Sequence, residues 1–145
     1  GNGCKEGTMF ADQLHRDEGV ALLRLVAWIA AADGFVDATE ERFLRDLRAR
    51  MALGGVSIAV DPAQDDLESL CAALPAGPAR RIAYVELVNA ARADGVLHPK
   101  ERMGLDRVAT ALGLDAETRR DIERWLEEGR AWERRGRGIV LGPRG

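Results

Sequence analysis

The sequence predicts an all-α fold, a single-domain bundle of about seven helices with an internal two-fold helix–loop–helix repeat. Three observations carry that expectation. Alanine and leucine abound while aromatic residues make up only 5% of the chain, a balance that favours helices over a sandwich or barrel. Apolar residues recur at threes and fours in one stretch after another, the spacing of one helix face. Finally, the phrase Ala32-Asp33-Gly34-Phe35-Val36-Asp37-Ala38-Thr39-Glu40 returns sixty-one positions later as Ala93-Asp94-Gly95-Val96-Leu97-His98-Pro99-Lys100-Glu101. The echo extends outward at the same offset, pairing Val26 with Leu87, Ala30 with Ala91, Leu44 with Leu105, Leu47 with Val108 and Met51 with Leu112. A repeat of this length marks one supersecondary unit used twice.

In chain order, Phe10 to His15 is expected as a short helix after a glycine-rich start. Val20, Leu23, Val26, Ala27 and Ala30 then make a helix face, and Trp28 and Ile29 widen it, so this helix is expected to be buried on more than one side. Gly34 supplies the left-handed residue that commonly ends a helix. Asp37 is an N-cap for the next helix, and Glu40 lies three residues on, at capping-box spacing. Phe43, Leu44, Leu47 and Met51 form its stripe, and Gly54-Gly55 is expected to end it. Val56, Ile58 and Val60 alternate with smaller residues as a short extended piece. Asp61-Pro62 has the character of an N-cap followed by a first helical residue. The helix it opens would turn Leu67, Leu70, Cys71 and Leu74 inward and Asp65, Asp66 and Glu68 outward. After the Pro75–Pro78 break, Ile82, Val85, Leu87, Val88 and Ala91 form a face that Gly95 ends. Pro99 starts a helix burying Leu105, Val108, Ala109 and Leu112, and Gly113 stops it. Asp115 caps the last helix, where Ile122, Trp125, Leu126 and Trp132 share a stripe expected to dock on the core. The domain expectation is therefore a leader or disordered stretch over 1–8, a helical domain over 9–133 and an Arg/Gly-rich mobile tail over 134–145.

Composition narrows function. The net charge of −3 is uneven: the last twelve residues hold four arginines and no acid, which leaves −7 on residues 1–133. An acidic body argues against nucleic acid as a partner, because phosphate binding needs clustered Lys and Arg. There is no apolar run of membrane-spanning length. Cys4 and Cys71 lack metal-type spacing; Cys71, among Leu70, Ala72 and Leu74, is expected as a reduced core residue, and a cytoplasmic location follows as the expectation. The two histidines, one tyrosine and two mid-chain serines form no recognisable catalytic constellation, and there is no phosphate-binding glycine loop.

The doubled phrase is the candidate site. Asp33 and Asp94 each fall in the last turn of a helix, where the macrodipole presents partial negative charge, and each is followed by a glutamate opening the next helix. If each junction folds back on itself, Asp33, Asp37 and Glu40 converge in the first copy, and Asp94, His98 and Glu101 in the second. Hard cations such as calcium need several oxygen ligands at once. The phrase matches the second half of an EF-hand loop but not the first. Loop positions one and three would be Ile29 and Ala31 in one copy, Ala90 and Arg92 in the other, with no oxygen side chain among them. A working EF-hand is excluded. The competing explanation is local: an Asp before Gly accepts loop N–H groups, and a glutamate three residues into a helix completes a cap.

Ala-Asp-Gly, two residues of which the second is apolar, then a glutamate opening an amphipathic helix, said twice in an all-helical chain, resembles the TerB-like family over roughly residues 15–130. That family is associated with tellurite resistance and bacterial stress response, and a related domain occurs beside J-domains in a membrane-anchored co-chaperone. The resemblance implies a helical fold, no established catalytic activity and acidic clusters for a divalent cation, calcium or similar. Carried over by position, these are Asp33, Glu40, Asp94 and Glu101, and Asp37 adds a third carboxylate to the first copy. His98 and Lys100 make the second copy less acidic. A protein partner is expected as well, with the oligomeric state left open.

Overall fold

A computed structural model of the chain describes residues 10, 13–33, 38–55, 58, 60–92 and 99–142, with the backbone alone described at 30, 32, 33, 38–41 and 43. Among these residues the fold is all-α, as the periodicity predicts. Its six helices are α1 (Arg16–Asp33), α2 (Ala38–Arg50), α3 (Leu67–Ala72), α4 (Pro78–Ala91), α5 (Pro99–Leu112) and α6 (Ala116–Leu141). Of the short helix expected at Phe10–His15, residues 11 and 12 lie outside the described ones; the Gln13 N–H donates to the Phe10 carbonyl at 2.9 Å. Ile58 and Val60 are half-buried and in neither helix nor strand.

The contacts divide the chain into two compact units, Gly1–Leu114 and Asp115–Gly145. In the first, α4 is the helix the others surround. Ala83, Tyr84, Val85, Glu86, Leu87 and Val88 are all buried in succession, so no side of the helix faces water over 83–88 and its sequence shows little amphipathic contrast. It packs on α1, α2 and α5. Glu86, which the apolar spacing passes over, is fully buried there and accepts the Phe10 backbone N–H. α1 is nearly as enclosed: Leu22, Leu23 and Leu25 have no exposed surface, and it touches α2, α3, α4 and α5. Gly19 is buried in α1 where any Cβ would collide with the Met51 thioether, so this glycine lets the end of α2 lie close against α1.

The ends of α2 and α5 share one geometry. After α2, the Leu53 N–H reaches back to the Arg48 carbonyl (2.7 Å) and the Ala52 N–H to that of Ala49 (3.2 Å). After α5, Leu114 bonds Ala109 and Gly113 bonds Thr110, both at 3.0 Å. Both are Schellman ends, which place one residue in the left-handed region. That residue is Gly113 at φ 76° in one case and Ala52 at φ 55° in the other. The stop of α2 thus falls before the Gly54-Gly55 pair expected to supply it. The buried Leu53, not the glycines, fixes where the helix ends.

Two other helix boundaries move. Asp61-Pro62 opens a turn rather than a helix, closed by the Asp65 N–H on the Asp61 carbonyl (2.6 Å), and α3 begins six residues after Asp61, with Asp66 at its N-cap position. In the second unit, α6 continues to Leu141 and stops at Gly142, φ 79°. Residues 134–141, expected as a mobile tail, are helical. Asp115 accepts the Thr118 N–H at 2.7 Å, a cap that starts α6; arginine is a good helix former, and growth from an existing helix is favourable. That hydrogen bond holds the Asp115 carboxyl below the usual carboxylate range. The capping contribution is therefore present above pH 3.8 and lost as pH falls below it.

Arg80 ties helix ends together inside the first unit. Its Nε donates to the Leu74 carbonyl (3.0 Å) and one terminal nitrogen to that of Leu112, the last residue of α5 (3.2 Å). A cation is favoured at these negative helix ends. Cys71 is a free, buried thiol as expected, and burial pushes it up to about 11.

Two predictions follow from the matched ends and the thiol. Ala52→Gly relieves a left-handed alanine and should stabilise the chain by about 0.5–1 kcal/mol, while Gly113→Ala should destabilise it by about 1 kcal/mol. Urea unfolding of both variants measures the opposite signs. At pH 8, peptide-resolved alkylation of Cys71 should be at least roughly tenfold slower in the folded chain than in urea, because the reactive thiolate is suppressed and covered.

Candidate functional site

Of the residues proposed from sequence as cation ligands, Asp37 and Asp94 lie outside the described residues, and so does His98. Asp33 closes α1 and Glu40 lies in the first turn of α2, with only their backbone described. Glu101 is the one whose surroundings are described. It is the third residue of α5, is 8% exposed, and borders a cavity of about 20 Å³ with Val26, Ile29, Leu87, Ala90, Ala91 and Leu105. That space admits a single water molecule, and Glu101 supplies the one carboxylate of its lining. A hard cation takes six or more oxygen ligands. Among the described residues no three His, Cys, Asp or Glu side chains stand where they could hold a metal ion.

A wider concavity in the first unit is elsewhere, a groove of about 620 Å³ between the 62–68 segment and α5. Its floor is Trp28, which is 3% exposed. The indole N–H donates to the Asp65 carbonyl at 3.2 Å, and the Arg107 guanidinium lies over the ring, 4.9 Å from its centroid. The segment is shaped by its own acids. Pro62 presets one backbone angle, the Asp61 carboxylate accepts the Ala63 N–H (3.0 Å), and the Asp65 carboxylate accepts the Asp61 N–H (2.6 Å). This self-tied turn holds the Asp65 carbonyl toward the indole. Arg24, from α1, pairs with the Asp65 carboxylate at 3.5 Å; both groups are partly exposed, so the pair contributes little to stability.

Asp66 follows, its carboxyl held below the usual range first by its hydrogen bond with Glu68 and also by the Ser69 hydroxyl at 3.2 Å. Asp106 and Thr110 complete the α5 wall, the Thr110 hydroxyl donating to the Asp106 carbonyl at 3.0 Å. The charged groups of the rim are thus mainly carboxylates, Asp65, Asp66, Glu68 and Asp106, with one guanidinium stacked on the floor. Such a rim favours positive charge. The sequence showed Asp65, Asp66 and Glu68 only as an outer helix face, and Trp28 only as part of an apolar stripe. Nothing local joins Trp28 to Arg107, because the contact exists only once α1 and α5 are packed.

No protein-family model matches the chain, no curated protein matches it, and no solved structure matches it.

The indole N–H bond is what fastens the acidic turn to the core. Trp28→Phe keeps an aromatic ring but removes that donor together with the pyrrole half of the indole, so it should lower stability by at least about 1–2 kcal/mol. Arg107→Ala should leave the fold intact and change the fluorescence of Trp28. Thermal unfolding and tryptophan emission of the two variants check both outcomes.

Proposed function

We propose that the chain is a non-enzymatic module of the TerB-like kind, built from one helix pair used twice, that acts in bacterial stress response and weakly holds a divalent cation at its first junction. One observation supports this above the others. The α1–α2 and α4–α5 pairs are matched at both junction and end: α2 begins at Ala38 and α5 at Pro99, and their Schellman residues are Ala52 and Gly113, each sixty-one positions apart. The packing exchanges in the same way, α1 meeting α5 while α4 meets α2. Val26 and Leu87, equivalent positions in the two pairs, face one small cavity together with the next equivalents, Ile29 and Ala90.

The cation belongs to the first junction because only there does the sequence keep three carboxylates, Asp33, Asp37 and Glu40. At the second, Asp94 and Glu101 are accompanied by His98 and Lys100. Calorimetric titration with calcium, magnesium, manganese and zinc tests the assignment. Weak binding that disappears in Asp33→Asn with Glu40→Gln, and survives Glu101→Gln, is the expected result. No heat from the wild-type chain, or unchanged heat from the double variant, contradicts it.

A second reading, a protein-interaction or co-chaperone-associated module without a metal site, is favoured by the Trp28 groove. Its carboxylate rim suits a basic segment of a partner protein. In that case the junction acids are helix caps. Their substitution should then lower stability by roughly 0.5–2 kcal/mol per cap, equally with and without added metal.

A further inference from the structure

α6 carries a surface that neither reading uses. From Ile122, positions spaced alternately by three and four are Ile122, Trp125, Gly129, Trp132, Gly136 and Ile139. This is the a/d seam of a coiled coil. Exposure rises along it, from 47% at Trp125 to 70% at Trp132 and 82% at Ile139, with Val140 and Leu141 also exposed. The stripe expected to dock on the core therefore buries Leu126 but leaves Trp125 about half exposed and Trp132 mostly so. Between the large residues sit glycines. A Cβ built at Gly129 or Gly136 would meet nothing within 4 Å. Glycine weakens a helix relative to alanine, and no contact among the described residues calls for it at these two points.

We propose that this face docks a second copy of the chain, α6 against α6 in antiparallel orientation, with each indole seated over a glycine of the other copy. The pattern is self-complementary in one register. Ile122 meets Ile139, Trp125 meets Gly136 and Gly129 meets Trp132, and a two-fold axis repeats each layer. Every layer then pairs compatible volumes, as a packed core requires. A two-fold interface must be complementary to itself in this manner. The charges agree. Glu128 flanks Arg135 of the other copy, twice by symmetry, whereas a parallel pair would set Glu128 beside Glu133 and stack indole on indole and glycine on glycine. A buried Trp covers roughly 150–250 Å². With two from each copy and the flanking isoleucines, the pair buries on the order of 1,000 Å², the lower bound for a specific interface. The dimer is accordingly weak and reversible.

Sedimentation of the full chain from about 1 to about 200 µM tests this. The mass should rise with concentration from 15.8 kDa toward twice that value. Gly129→Gln is the discriminating variant. It improves helix propensity, so α6 should become more helical by circular dichroism, yet it fills the seat of Trp132 and should weaken dimerisation at least roughly tenfold. Trp132→Ala should also abolish the dimer. Glu128→Arg should weaken it, and adding Arg135→Glu should restore it. A constant 15.8 kDa mass at every concentration overturns the proposal. So does a dimer indifferent to Gly129→Gln, or a double charge variant that fails to recover.

Discussion

The first unit depends on one constraint: the middle of α4, over 83–88, has no solvent side. A helix buried all round must be covered by neighbours in every direction, since each fully buried Leu or Val contributes roughly 1.5–3 kcal/mol only if water is excluded from it. α1, α2 and α5 supply that cover. The same burial explains why Glu86 must be hydrogen-bonded. A carboxylate at 0% exposure is tolerable only with polar partners, and the Phe10 N–H is one of them. The segment before α1 is in this way fastened to the middle of the core.

Around α4 the helix ends are organised rather than left loose. Arg80 satisfies the carbonyl of Leu74, just beyond α3, and that of Leu112 at the end of α5. The Schellman turns satisfy the last carbonyls of α2 and α5. The junctions that begin α2 and α5 carry the acids of the repeated phrase, and the ends carry Ala52 and Gly113. Both sets of correspondences stand sixty-one positions apart in the sequence. The two helix pairs are unequal: one has the glycine its turn prefers, and the other has three carboxylates in the sequence of its junction. The groove on Trp28 has no such counterpart, because the 61–66 turn that forms its wall lies between the two pairs.

Much of this was legible in the chain. The starts of α2 and α5 fall where Asp37 and Pro99 indicated, and Leu67, Leu70, Cys71 and Leu74 point inward as their spacing required. The misplaced features have physical causes. Asp61-Pro62 has the chemistry of a helix start, but the same proline and carboxylate also close a turn, and the Asp65 side chain decides for the turn. Ala52 occupies a conformation that sequence rules reserve for glycine, because burying Leu53 outweighs the local strain. Glycine and arginine near the C-terminus suggested a tail, although a capped helix extends through them. The Trp28 groove was not legible, since its parts come from α1, α5 and the turn between the pairs. The junction carboxylates at 33, 37, 40 and 94 were legible as a motif, and their chemistry is a matter for the titration of metal rather than for spacing alone.

α4, with α1 packed beside it, is the cooperative centre of the first unit, and this is directly measurable. Native-state amide hydrogen exchange should find the slowest amides in 83–88 of α4 and 22–26 of α1, exchanging together at the free energy of global unfolding, while amides of α6 open independently at lower free energy. Exchange from α4 that is faster than from α2 or α5, or that is uncoupled from α1, would contradict a core organised around that helix.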